Sequence, residues 1–168
     1  MDKKQKKILI ILIISLIILD QIVKLVILGF NIKIGNQDLW NIGVISAERT
    51  DNNISYILIA IIAIIVLVRY IKSNNSYIKM DSRIMLSFAI SGAASNLIDR
   101  IWKGCTINYI NFPNFSSINL GYIYLIITWI GMAIILTKYT SVRIAERKMK
   151  KEVDAQRKEK DEKGNNSK

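Results

Sequence analysis

Four stretches of this chain, Ile8 to Phe30, Ile54 to Ile71, Ile84 to Ile101 and Asn119 to Tyr139, are long and apolar enough to cross a hydrocarbon layer. Such a layer is about 30 Å thick and takes about 20 helical residues. A chain of 168 residues with 51% apolar side chains gathered into such runs is therefore expected to form one integral membrane domain. The expected fold is an all-α membrane protein of four transmembrane helices in a bundle. A small extracytoplasmic β/loop addition is expected in 31–53, where Ile32 and Ile34 alternate with polar residues as in a short strand. Residues 1–142 form the membrane domain on this reading, and 143–168 a charged cytoplasmic tail.

The third run is the least apolar. It carries Ser87, Ser91, Gly92, Ser95 and Asn96, which places it inside the bundle, where small residues let backbones approach. Gly92, Ala93 and Ala94 are read as packing residues. Lys3, Lys4, Lys6 and Lys7 ahead of the first run imitate the start of a secretory signal, but the run is too long and no small-residue cleavage site follows. An uncleaved first span is expected.

The net charge of +11 is distributed unevenly. Lys3, Lys4, Lys6 and Lys7 precede the first run, and Arg69, Lys72, Lys79 and Arg83 flank the link between the second and third. Lys138, Arg143, Arg147, Lys148, Lys150 and Lys151 follow the fourth, whereas the two remaining loops hold only Lys33, Arg49, Arg100 and Lys103. By the positive-inside rule both termini are expected to be cytoplasmic. The tail mixes its basic residues with Glu152, Asp154, Glu159, Asp161 and Glu162, so no nucleic-acid partner is expected. It reads as a helical extension, drawn to anionic lipid near the membrane and disordered from Gly164 to Lys168.

With no histidine, a Ser/His or Cys/His nucleophilic pair and a His-ligated metal are both excluded. Cys105, the single cysteine, has no second thiol to bond and is a poor nucleophile or zinc ligand.

Polar residues inside apolar runs are costly and point to function. Asp20, Gln21 and Lys24 interrupt the first run, with Asp20 and Lys24 on one helical face at i, i+4. They suit either a self-neutralising packing pair or a site. Asn96, Asp99 and Arg100 close the third run, at spacings of three and four that group them on one side. Between the first two runs, Asn41, Ile42 and Gly43 suggest a tight backbone feature. Trp40, Tyr109, Phe112, Phe115, Tyr122 and Tyr124 fall near the expected outer boundary and read as an aromatic belt.

In their order, Asp20-Gln-Ile-Val-Lys24, Asn41-Ile-Gly43 and Gly92-Ala-Ala-Ser-Asn96-Leu-Ile-Asp99-Arg100 resemble signal peptidase II, the lipoprotein signal peptidase family. The resemblance extends to the number and spacing of spans, up to about residue 140, and rests most on the nine-residue motif. It implies an aspartyl protease that cuts signal peptides from diacylglyceryl-modified prolipoproteins at the outer boundary of the membrane. No metal or cofactor is implied. Expected partners are lipoprotein signal peptides or prolipoproteins, and membrane lipid. The implied substrate-binding residues are Asp20, Lys24, Asn41, Gly43, Asn96, Asp99, Arg100 and Asn119.

The family chemistry needs two carboxyls, one taking a proton from water while the other donates one toward the scissile carbonyl. The position matching the first catalytic aspartate holds Asn108, in Gly104-Cys-Thr-Ile-Asn108-Tyr-Ile. The position matching the second holds Tyr122, in Ile118-Asn119-Leu120-Gly121-Tyr122. No shift of register restores the pair, because no Asp or Glu occurs from Arg100 through Ala145. Two readings stay open. One is a catalytically impaired homologue that binds signal peptide, lipid or a family-directed inhibitor. The other is an active endopeptidase with a relocated acid pair, Asp20 and Asp99 being the only carboxylates within spans; Glu48 and Asp51 lie in a loop. A transporter or purely structural bundle is a third class, but the paired Gly/Pro-broken helices of many transport sites are missing, and Pro113 is the only proline.

Overall fold

The computed structural model describes the whole chain except residues 33, 37–39, 46–51, 74–78, 113–116 and 166–168. Its elements follow in the order α1 (Lys3–Gly29), β1 (Ile34–Asn36), β2 (Trp40–Ile45), α2 (Asn53–Lys72), α3 (Met80–Lys103), β3 (Asn108–Asn111) and α4 (Leu120–Asn165).

Apolar side chains point outward and polar ones inward, the reverse of a water-soluble bundle. On α1, Ile10, Ile14, Ile18, Ile22 and Leu25 are exposed, and in α2 only Ile71 is buried. In α3, by contrast, Ser82, Arg83, Ser87, Ser91, Ser95, Asn96 and Asp99 are all buried. Lipid solvates aliphatic surface without cost, whereas each polar group must find a partner inside the protein. Among the described residues, α1, α2 and α4 are long and apolar enough to cross a membrane. With 24 residues α3 reaches about 36 Å at 1.5 Å per residue, and its polarity is spent on the interior.

The helix starts and stops have local causes. α1 begins on a capping box in which Asp2 and Gln5 exchange side-chain and backbone hydrogen bonds, so the lysines ahead of the apolar run are helical too. At the far end of α2, the buried Arg83 guanidinium donates to the carbonyl of Ile71 in the last turn and to that of Ser73 just after it. α3 stops at Gly104, whose φ of 76° is the left-handed geometry that glycine adopts freely. That reversal returns Ile107 to the last turn of α3.

The contact-defined unit Met1–Gly131 holds all of this. α3 packs against α1 and α2, with Leu9, Ile71, Leu86 and Ile90 as the apolar core at one end. The first turns of α4 close on α3 where a side chain at Gly92 would run into the Gly121 carbonyl. Thr128 donates to the Met85 carbonyl at 2.9 Å, and Phe88 meets Tyr124 edge to face at 5.9 Å. The second unit, Met132–Lys168, contains the remainder of α4, and its side chains from Thr140 to Asp154 are exposed.

The three strands form one antiparallel sheet in the order β1-β2-β3. Ile34 pairs with Ile42, Asn41 with Asn111, Ile42 with Ile110 and Ile45 with Asn108; the register slips between Ile42 and Ile45. Three expectations change here. Asn41, Ile42 and Gly43 lie within a strand, and the tight feature is the register slip beside Gly43. A third strand, β3, comes from the segment between α3 and α4. The tail remains helical through Asn165, so Gly164 and Asn165, the first two residues of the stretch expected to be disordered, are helical, and 166–168 lie outside the described residues. Phe115, Lys33, Arg49, Glu48 and Asp51 also lie outside them.

Candidate functional site

The site grows from Lys24. Its side chain is 1% exposed, and an ammonium at that depth must place every proton. It has three acceptors: Asp20 Oδ2 at 2.6 Å, Asp99 Oδ2 at 2.7 Å and Asn96 Oδ1 at 3.2 Å. The first is the i, i+4 partner expected from sequence; the other two come from α3.

Each carboxylate has further donors. Asp20, fully buried, accepts from Ser95 Oγ and from Tyr109 Oη at 3.4 Å. Asp99 accepts from Gln21 Nε2 at 3.0 Å and from the Ile107 N–H at 3.2 Å, the residue that Gly104 turns back. Gln21 also reaches the Ser95 carbonyl and hydroxyl. Both carboxylates therefore turn an oxygen to the same ammonium, and none of these bonds joins one carboxyl to the other.

Asn96 links this cluster to a second one. The Asn119 Nδ2 amide lies 2.9 Å from Asn96 Oδ1, 2.9 Å from the Ile107 carbonyl and 3.0 Å from Asn108 Oδ1. Its Oδ1 accepts the Tyr122 N–H at 3.0 Å, capping α4 as an Asn before a helix does. The Leu120 N–H, another donor of that first turn, goes to Tyr109 Oη at 3.0 Å. Bridging of Ile110 with Ile118 holds the strand β3 and the start of α4 side by side. Asn108 and Tyr122 thus stand at the two ends of one fully buried amide, Asn119, with both of their own side chains half-buried.

Tyr109 is 3% exposed and sits between the clusters. Burial pushes its phenol above the ordinary tyrosine value, the Leu120 N–H opposes this, and the Asp20 carboxylate adds to the rise. The hydroxyl keeps its proton and can donate to Asp20 while accepting from α4.

Asp20, Lys24, Asn96, Asp99 and Asn119 are brought together. Arg100 is not: its guanidinium lies 4.6 Å over the Tyr56 ring and reaches Asn53 Oδ1 at 3.4 Å, toward α2. One residue past Asp99 is about 100° around a helix, enough to turn it to another neighbour. The charge beside Asp99 is therefore Lys24 and not Arg100. Asn41 and Gly43 belong to β2, two positions along a strand that pairs with β3. Tyr109 and Tyr124 leave the aromatic belt, since both are buried and the Tyr124 hydroxyl donates to the Leu16 carbonyl at 3.3 Å. Sequence reasoning missed Tyr109, and gave Gln21 and Ser95 no bonding role. The period of two along β3 would have turned Tyr109 inward with Asn111. Cys105 is buried with its thiol near the Lys103 carbonyl, and the described residues hold no cluster of three metal-ligating side chains.

Helices long and apolar enough to span a membrane, packed around a largely buried polar network, define a multi-pass membrane protein with its candidate site inside the bundle. The signal peptidase (SPase) II family model matches residues 12–140, more than half of the sequence, and the chain belongs to that family. Two solved structures, both described as bacterial membrane enzymes, share the fold. One, determined at 2.3 Å, superposes with a TM-score of 0.69 at 22% identity over 80% of this chain and 90% of the other. The second, at 1.9 Å, gives 0.67 at 20% identity over 77% and 92%. No curated protein matches the sequence.

Proposed function

We propose that this protein is a catalytically silent signal peptidase II homologue that holds a lipoprotein signal peptide, its lipid or a family-directed inhibitor without cutting it. The observation that supports this reading is that the two positions which the sequence resemblance matches to the family's aspartates hold Asn108 and Tyr122, and that both bond to the buried Asn119. An amide does not exchange protons at neutral pH, and a phenol ordinarily ionises near pH 10, so neither replaces a carboxyl that must take up and release a proton. Asp20 and Asp99 do not substitute for them, because each has an oxygen bound to Lys24 and its remaining bonds go to other donors. The polar network next to the emptied positions is retained, and it supports binding.

In this reading α3 is the fourth span, sheathed by the others. Residues 1–142 are the membrane domain of a bacterial plasma membrane protein, with the sheet outside and both termini in the cytoplasm. The basic residues before α1, between α2 and α3 and after α4 support that orientation.

The test is cleavage of a diacylglyceryl prolipoprotein, followed as a gel shift, by the wild type and by Asn108→Asp/Tyr122→Asp. The wild type is expected to leave the precursor intact while crosslinking to it. The double variant is expected to process it, if the peptide already lies against these positions. Processing by the wild type would show the silent reading to be wrong and would make Asp20 and Asp99 the next substitutions.

A further inference from the structure

The exposed half of α4 separates its charges. From Lys138 to Lys151 six basic residues face one acidic residue, Glu146, whereas from Glu152 to Lys163 there are four basic and five acidic. Within the helix, Val142, Ala145, Met149 and Val153 recur at intervals of three, four and four, which puts them on one face. Val142, Met149 and Val153 are each about half exposed or more, at 49%, 60% and 53%. By the 100° step of a helix, Glu146 and Glu152 border that stripe directly, Arg143 and Lys150 lie beyond Glu146 on one side and Lys148 beyond Glu152 on the other, so the basic residues on the two flanks outnumber the acidic ones three to two, while Ile144 lies nearly opposite.

Just before the stripe, three hydroxyls bond back by one turn: Thr137 to the Ala133 carbonyl, Thr140 to Leu136 and Ser141 to Thr137, all at 2.9 Å. Such bonds compete with the backbone ladder and favour bending.

From these features we propose that α4 turns at 137–141 and that residues 142–154 lie along an anionic lipid surface. Val142, Met149 and Val153 enter the acyl boundary, and Arg143, Lys148 and Lys150 contact lipid phosphates. The occupant is argued from charge and continuity: the positive block directly follows an apolar segment long enough to span, and its basic excess ends at Lys151, within the stretch that lies on the lipid. A nucleic-acid groove would draw on the distal half too and would leave the apolar stripe without a role.

The experiment uses the full-length protein with Cys105→Ser, carrying an environment-sensitive dye at Met149→Cys or at Ile144→Cys. It is placed in nanodiscs of phosphatidylcholine, with or without phosphatidylglycerol. With phosphatidylglycerol, the dye at 149 should become several-fold less accessible to iodide and be quenched by lipid-borne nitroxide, while the dye at 144 stays in water. High salt, or glutamine at Arg143, Arg147, Lys148, Lys150 and Lys151, should abolish the difference. Thr137→Ala/Thr140→Ala/Ser141→Ala should raise iodide access at 149 again. Equal iodide access at both positions in the anionic discs would overturn the proposal, as would shielding that arises only on adding RNA. Unchanged shielding in the triple alanine variant would overturn the bend.

Discussion

Lys24 has three protons to place, and all three have acceptors, so its removal strands Asp20 and Asp99 in a dry interior. Breaking a buried ion pair from one side costs about 3–5 kcal/mol, whereas replacing the whole group by neutral residues of like size is often close to neutral. Lys24→Met is therefore expected to lower stability by that amount. Asp20→Asn/Lys24→Met/Asp99→Asn should recover most of it, as read by unfolding in detergent, and equal losses in both variants would contradict the ion-triad account. Tyr109 gives a pH signature of opposite character. Its folded phenol holds its proton above the ordinary value, mainly because it is buried, so its contribution is present below about pH 10 and fades as pH rises beyond that. Tyr109→Phe should be less stable at neutral pH by about 1–3 kcal/mol, because the Leu120 N–H loses its acceptor, yet should show a shallower loss of stability above pH 10. Stability curves of wild type and variant that stay parallel to strongly alkaline pH would contradict it. At this scale the sequence already exposed Asp20, Lys24, Asn96 and Asp99, since polarity within an apolar run is conspicuous. Tyr109 was hidden because a tyrosine near a membrane boundary has an ordinary interfacial explanation.

α3 can serve as the central helix only because its close approaches are made by small residues. A methyl group at Gly92 would collide with the Gly121 carbonyl, a backbone atom that cannot swing aside, whereas one at Gly29 would meet nothing. Gly92→Ala is expected to cost about 1–3 kcal/mol through forced displacement of α4, and Gly29→Ala to be neutral or slightly stabilising. Thermal unfolding of the two in the same detergent checks the contrast. The displacement should also disturb Asn119, since the Gly121 backbone lies against the Asn96 and Asn119 side chains. All four helices were legible, because twenty apolar residues have few other uses and because the serines and asparagine of α3 fall where a packed helix needs them. β3 was not, as four residues offer too short an alternation, and although Arg100, Lys103 and Gly104 form a helix-stop pattern, that pattern does not say which strand the chain pairs with afterwards. Arg100 was misplaced for a related reason: helical spacing fixes the face on which a residue starts, while a long side chain chooses among the helices within reach.

For the molecule as a whole, sequence carried the inside-out arrangement and the family, and the three-dimensional arrangement added the joining of two distant segments around Asn119. That joining makes the proposed function quantitative. A bundle that binds a precursor but has no proton-transferring pair can protect it only mole for mole, since nothing is turned over. In a mixture of prolipoprotein with a limiting amount of an active family member, added wild-type protein should reduce cleavage in proportion to its molar ratio to precursor. The protected fraction should be the same at early and late times when binding is rapid and tight. Asn119→Ala should lose this protection, because it removes the α4 cap, about 1 kcal/mol of helix stability, together with the amide that holds Asn108 and Tyr122 in place. Asn108→Asp/Tyr122→Asp should reverse the sign and increase product. Protection that exceeds the molar ratio would point instead to action on the active enzyme, and complete absence of protection at a several-fold excess would remove the precursor as ligand, leaving free lipid or a family-directed inhibitor as the molecule this site holds.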